Sequence, residues 1–236
     1  MAVKVLFSMN NRKILKYPIN ILNPDSFSTL VMFSGGIDST AALFYVLNHP
    51  EKYGNIHVHH INIQNNEKRW EVELMAVNAV YEYLRIHSTV PFTTSESTIN
   101  TPSFNGDFLY DAEIIGFMSG YMTSRDSSIK KVIIGATGTD WGQKSDHSLK
   151  TIERSKSMHN VFHRDIEDHS SLVKEFPMKD MTKQEVYDSL PPELAELTWS
   201  CRHPRFVDGK FAECGLCKTC CGELKEIQRR PRLVRN

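Results

Sequence analysis

The first 200 residues contain no cysteine, no apolar run approaches the length of a membrane span, and neither sign of charge is in excess. Lys plus Arg and Asp plus Glu each number 28, so no global field advertises nucleic acid or an acidic membrane. The apolar core and cleavage pattern of a signal peptide are missing at the start, so the expected location is cytoplasmic, with no membrane partner. The G-x-x-x-x-G-K-[ST] spacing of a Walker loop is absent as well. What remains is ordinary: 40% apolar and 24% charged residues in a chain of 236, enough for one globular domain with a small appendage. All five cysteines lie between Cys201 and Cys221. An odd number in one cluster argues for a reducing compartment and a metal, against a disulfide framework.

Leu30-Val31-Met32-Phe33 has strand length, Ser34-Gly35-Gly36 is a turn, and a helical pattern begins at once with Ile37-Asp38-Ser39-Thr40. Glycines let a ligand approach the main chain, and the new helix offers unpaired N–H groups at the positive end of its dipole. Ser34, Ser39 and Thr40 add hydroxyls; Asp38 repels bare phosphate unless it shares a divalent cation with it. A plain strand-to-helix turn capped by Asp38 or Ser39 is the competing reading.

Downstream, strand and helix patterns alternate. Ile56, Val58 and Ile61-Asn62-Ile63 give a second strand; Glu67 to Arg85 gives a helix with a core stripe of Trp70, Leu74, Val77, Val80, Tyr81 and Leu84. A short third strand is expected over Ser88–Phe92, followed by a polar loop from Thr93 to Phe104. A helix is expected from about Gly106 to Ser124, then a strand at Lys131–Gly135. Such alternation predicts an α/β fold, a Rossmann-like doubly wound parallel sheet, with ligands at the strand carboxyl ends. The loops after Phe33, Ile63, Phe92 and Ile134 should then share one rim. His57 and His59 alternate away from His60, so the three do not converge on a metal. Thr139 to Ser171 reads as an active-site loop or lid, with a plain insertion as its alternative. Thr182 to Glu185 carries a capping-box pattern opening a short helix. Residues 1–28 read as a separate N-terminal β-hairpin extension.

Cys201 is followed after twelve residues by Cys214, then by Cys217 and Cys220 at two-residue gaps. Neighbouring thiolates at this spacing converge on one ion and the distant one closes a tetrahedral shell, the pattern of structural zinc. An iron–sulfur cluster is the chemical competitor. Cys221 reads as a spare thiol, and Leu216 to Ile227 as a helix fastened by the metal. The basic tail Arg229-Arg230-Pro231-Arg232-Leu233-Val234-Arg235 reads as a solvated terminus.

Ser34–Ser39 matches the SGGxDS loop of the N-type ATP pyrophosphatases (the PP-loop superfamily), which split ATP into AMP and pyrophosphate. With the C-x12-C-x2-C-x2-C cluster, the chain resembles the 7-cyano-7-deazaguanine synthases, the QueC family, over about residues 29 to 228. Lys183–Glu185 is similar to that family's K-x-E helix, and Leu197–Cys201 to its T-x-S-C approach to zinc. Gly135–His147 aligns without gaps with its substrate loop, retaining Gly135, Asp140 and Asp146, while Thr101–Asn105 keeps Pro102 and Asn105 of a V-P-x-R-N segment. Phe104, Thr137, Lys144 and His147 replace that family's arginine, asparagine, tyrosine and cysteine, and its D-Y-G-Q-R run is not legible beyond Arg69 and Glu73.

The resemblance implies an adenine nucleotide alpha hydrolase-like fold, with residues 29–199 as the ATP pyrophosphatase domain and 200–236 as a zinc-binding segment. It implies a ligase in queuosine-type biosynthesis: ATP, Mg2+ and ammonia convert 7-carboxy-7-deazaguanine into the nitrile through an adenylated carboxylate. Asp38 and Ser39 would be catalytic, and Ser34, Gly35, Gly36, Asp38, Ser39, Thr40 and Gly135 would hold the nucleotide. Asn105, Thr137, Asp140 and Asp146 would read the deazapurine; Cys201, Cys214, Cys217 and Cys220 would hold Zn2+. The replaced positions support a second reading, a relative that stops at an amide or a conjugate. A third class, a zinc-stapled module binding tRNA or DNA through Arg229, Arg230, Arg232 and Arg235, is disfavoured by the balanced charge. A homodimer is left open.

Overall fold

The central strand β1 (Ser28–Phe33) is buried along almost its whole length, which is why it reads as a continuous apolar run rather than an alternating one. The computed structural model describes residues 28–100, 111–138, 146–163 and 172–222, with 227 and 233–234. The N-terminal hairpin expected over residues 1–28 lies outside them except for Ser28, which belongs to β1. β1 is followed by α1 (Ile37–Leu47), α2 (Pro50–Tyr53), β2 (Asn55–Gln64), α3 (Trp70–His87) and β3 (Phe92–Asn100). Then come α4 (Asp111–Arg125), β4 (Ile129–Ile134), α5 (Asp146–Asn160) with a 3-10 turn (Val161–His163), and β5 (Val173–Glu175). Two short helices, α6 (Lys183–Asp188) and α7 (Pro192–Ala195), lead to the cysteine segment: β6 (Arg205–Val207), β7 (Lys210–Ala212), α8 (Lys218–Cys221) and β8 (Leu233–Val234).

Five strands form one sheet in the order β3-β2-β1-β4-β5, every neighbouring pair parallel. The fold is the expected doubly wound α/β type. On one face Val31, Phe33, Ile56, Val58 and Ile133 pack with buried residues of α1, α3, α6 and α7; on the other, Leu30, Met32, Ile61, Ile63 and Val132 pack with Ile114 of α4. The strand order reverses between β1 and β4. That is the switch point at whose carboxyl end ligands of such sheets bind.

Four expectations are corrected. The stretch Thr93–Asn100 is not a polar loop but most of β3, an edge strand, and Phe92 opens it rather than ending it. Its hydroxyls are partners, not solvent-facing ornament: His57 Nδ1 and Nε2 lie 2.7 Å from Thr93 Oγ1 and Ser95 Oγ, and His59 Nδ1 and Nε2 lie 2.7 and 3.0 Å from Ser95 and Ser97. Burial holds both imidazoles below their ordinary pKa, so they ladder along the strand as neutral rings. His60 bonds the Phe33 carbonyl instead.

The second correction is α5, which occupies the middle of the supposed lid. It lies against α4, where Gly116 and Gly120 give room: a Cβ on either would stand 2.3 or 2.4 Å from the carbonyls of Ser155 and His159. Ser155 Oγ donates to the Ala112 carbonyl, Ser119 pairs with His159, and Arg154 pairs with Glu113. Third, the helix expected over Leu216–Ile227 is, among the described residues, only α8, and Leu216 is exposed. Fourth, the tail is not wholly free, because β8 pairs with β7 in a small antiparallel sheet β6-β7-β8.

Candidate nucleotide site and cysteine cluster

At the carboxyl end of β1 the chain turns through Ser34, Gly35 and Gly36 into α1. Gly35 takes φ +76°, and a Cβ there would stand 2.9 Å from Val77 Cγ2 of α3. Glycine is required both by the backbone angle and by the helix overhead. Ser39 ties the turn: its Oγ donates to the Gly36 carbonyl (3.2 Å) and accepts from the Ser34 N–H (3.2 Å), with Ser34 Oγ 3.0 Å away. Neither Asp38 nor Ser39 caps α1. The N-cap is Gly36, with no side-chain cap, so the plain capping reading fails. Thr40 is fully buried, its hydroxyl without a protein partner.

Gly135, just past β4, abuts the first turn of α1. A Cβ there would lie 2.5 Å from the Ser39 nitrogen and 2.6 Å from the Asp38 carbonyl carbon. Its smallness lets the end of β4 close the switch point beside the loop. Thr137 is fully buried, and Gly138 N–H donates to the Met181 carbonyl (2.9 Å), linking this loop to the segment entering α6. Asp146 opens α5, but its side chain, like Asn105 and Asp140, lies outside the described residues.

The carboxylate of Asp38 pairs with Lys183, Nζ to Oδ2 2.5 Å. Lys183 begins α6, whose capping box is complete: the Thr182 side chain accepts from Glu185 N–H and the Glu185 side chain accepts from Thr182 N–H. Helical spacing puts Lys183 on the stripe of Val186 and Leu190, all buried. A lysine inside an apolar stripe needs a carboxylate, a sequence signal that could have found this pair, which the spacing of motifs missed.

The cysteine segment reaches the loop directly. Trp199 N–H donates to the Gly35 carbonyl (2.9 Å), and its indole N–H donates to the carbonyl of Cys201 (2.9 Å). Cys201, Cys214, Cys217 and Cys220 are buried, and their sulfurs all lie within 4.8 Å of one another, as four ligands of a single ion must. Amides are aimed at the sulfurs: Cys214 N–H at Cys201, Leu216 and Cys217 N–H at Cys214, Cys220 N–H at Cys217. Burial raises the Cys201 thiol to about 12; at Cys214 those amides and neighbouring thiols outweigh burial and bring it down to about 7. Cys221 points elsewhere, exposed and donating to the Gly215 carbonyl, so it is the spare thiol.

Beside the loop runs an ion network unforeseen from spacing. Arg69 meets Glu67 (2.7 Å), Glu73 (3.0 Å) and Asp111 (2.6 Å), while Arg202 meets Glu67 (3.0 Å) and Asp111 (3.1 Å). Burial lifts Glu73 to about 7 against the pull of Arg69. Asp111 is also buried, but Arg69 and Arg202 outweigh that and hold it below the usual carboxylate range. Arg202 follows Cys201, so the network joins the cysteine segment to the start of α3 and α4.

No protein-family model matches the chain, and no curated protein matches its sequence. Among solved structures the chain is similar to U34-tRNA thiolase NcsA from Methanococcus maripaludis with its 4Fe-4S cluster. The identity is 14% and the TM-score 0.48, over 87% of this chain and 67% of that one.

Proposed function

We propose that this chain is a PP-loop enzyme that spends ATP to adenylate a carboxylate, and that the carboxylate is that of a 7-deazaguanine. The observation carrying the first part is the Ser34–Ser39 turn at the β1/β4 switch point, with the first-turn amides of α1 uncapped and Asp38 held by a buried lysine. A carboxylate is a poor electrophile. Its oxygen attacks the α-phosphorus of ATP and pyrophosphate leaves; ammonia then attacks the acyl carbon, and AMP and a proton depart, giving the amide. A second ATP takes the amide oxygen in the same way, again releasing pyrophosphate, and loss of AMP and of both amide protons leaves the nitrile.

In this scheme the turn and the α1 amides hold the departing pyrophosphate, and Lys183 supplies a positive charge next to Asp38. Asp38 is the residue suited to a magnesium ion, which would neutralise phosphate charge. The tetrad suits zinc in a structural role: four sulfurs mutually within 4.8 Å match one ion, whereas the four irons of a cubane cluster would hold their thiolates farther apart.

Incubation with ATP, ammonium and 7-carboxy-7-deazaguanine should release AMP and pyrophosphate and yield the nitrile by mass spectrometry. Metal-loaded, folded protein that releases no AMP would sink the proposal. A second reading, arrest at an amide or conjugate, is favoured by Thr137, which stands where the resembled family has asparagine and is fully buried. An amide or conjugate mass with AMP release would select it.

A further inference from the structure

Gly36 lacks a side chain for no reason internal to the fold. Its backbone is extended, φ −80° and ψ 166°, a conformation open to every residue. A Cβ there would meet Ser34 Oγ at 3.4 Å, the Trp199 carbonyl oxygen at 3.5 Å and Ser200 Oγ at 3.8 Å, all ordinary contacts. Gly35 and Gly135 differ, since a Cβ on them would stand 2.9 and 2.5 Å from a neighbouring atom. The space over Gly36 is therefore a notch lined by oxygen, at the mouth of the uncapped first turn of α1.

Ser200 is the unassigned member of that lining. It belongs to the strap between α7 and the cysteines, and the strap is pinned next to it. Trp199 N–H donates to the Gly35 carbonyl, the Trp199 indole N–H donates to the Cys201 carbonyl, and Cys201 belongs to the buried tetrad. Two nearby hydroxyls are already spent: Thr198 donates to the Ala195 carbonyl (2.8 Å) and Ser39 to the Gly36 carbonyl (3.2 Å), both from buried side chains. Ser200 is only partly buried, and its hydroxyl makes no hydrogen bond among the described residues. A hydroxyl held beside helix amides suits an anion with several acceptor oxygens. The Trp199 carbonyl, which only accepts, closes the notch on its own side and leaves the anion to the two serines.

We propose that Ser200 is a further binding residue of the nucleotide site. Its hydroxyl and that of Ser34 donate to the pyrophosphate part of ATP, seated in the notch over Gly36. The cysteine-anchored strap thus supplies part of the site as well as bracing it. The inference rests on the nucleotide reading of the Ser34–Ser39 loop and deepens it.

The test is isothermal titration calorimetry of the full, metal-loaded chain with inorganic pyrophosphate, ATP and AMP, each with magnesium. Ser200→Ala should weaken pyrophosphate and ATP roughly tenfold or more, the loss of a hydrogen bond to a charged group. AMP, which has no pyrophosphate part to reach the notch, should bind as it does to the wild type. Ser200→Thr keeps the hydroxyl and should keep the affinity. Gly36→Ala should fill the notch and weaken the same two probes, with a melting temperature near that of the wild type. Pyrophosphate and ATP affinities unchanged by Ser200→Ala overturn the proposal, as does an equal loss for AMP. A Ser200→Ala chain that loses its metal ion along with its affinity assigns the residue to the cluster and overturns it too. If the wild type binds ATP and forms AMP while Ser200→Ala is silent, only the role of Ser200 falls. A wild type that binds neither ATP nor pyrophosphate and forms no AMP overturns the adenylation reading with it.

Discussion

The Lys183 ammonium lies 2.5 Å from the Asp38 carboxylate, joining the first turn of α1 to the first turn of α6 beside the Ser34–Gly36 turn. Lys183 is 2% exposed and has its charge in the protein interior, so removing the acid is costly. Asp38→Ala should lower stability by about 3 kcal/mol in urea denaturation. Adding Lys183→Met should recover most of that loss, because the buried ammonium that paired with Asp38 is gone. Neither variant should release AMP. Stability unaffected by Asp38→Ala would show that the pair is held loosely.

Two glycines set the shape of the same site for different reasons. Gly35→Ala forces a left-handed backbone on alanine and drives its methyl against Val77, and should cost about 1–3 kcal/mol. Gly135→Ala meets the backbone of Ser39 and Asp38 at 2.5–2.6 Å, and backbone does not swing aside as a side chain does. Its main effect should be on the loop. Nucleotide affinity and AMP formation should fall at least tenfold in a chain whose circular dichroism is unchanged.

The four thiols share a core with α1, Trp199 and Leu194, so losing the metal should be felt throughout. Plasma emission spectrometry should find one metal ion per chain, and Cys217→Ser should abolish it. Cys221→Ser should not, because that thiol faces away. Chelation is expected to lower the melting temperature and the AMP-forming activity together; a tetrad variant that keeps both would refute a structural ion.

The imidazole ladder makes stability depend on pH. His59 has its pKa brought down from 6.5 to about 4, chiefly by burial, with His57 and His60 adding repulsion. The unfolded chain therefore binds the proton first, and the stabilisation, whole above about pH 6.5, is lost as pH falls toward 4. The full loss is about 3 kcal/mol. Glu73, raised to about 7, works in the opposite sense over an overlapping range. The comparison is therefore between wild type and His59→Asn: their denaturation midpoints should converge as pH drops. Parallel curves would place His59 outside this account.

Sheet type, switch-point loop, capping box and cysteine set were legible because each rests on local pattern: an apolar run, a glycine turn, fixed spacings. Other features were hidden for physical reasons. Thr93–Asn100 looked like a loop because Ser and Thr are polar, yet their hydroxyls were matched to histidines on a neighbouring strand that no local window contains. Helix α5 was masked by its low apolar content; it packs through glycines, serines and a histidine instead of an aliphatic stripe. Asp208-Gly209 was a readable hairpin signal, overshadowed by the cysteines around it. The ion network of Arg69, Asp111 and Arg202 joins residues far apart in sequence, and spacing says nothing about such encounters.

The hydrogen bond from Trp199 to Gly35 has a consequence for how the protein is made. The loop leaves the ribosome more than 150 residues before the strap that closes it and the cysteines that anchor the strap. Until then the first turn of α1 has its bonds to Ser34 but not its clasp, and the candidate site stays incomplete. Native contacts of such long sequence separation form late and slowly. Synthesis in the presence of chelator should therefore yield nascent chains with a sheet but an unclasped loop, open to proteolysis near Gly35 and Gly36.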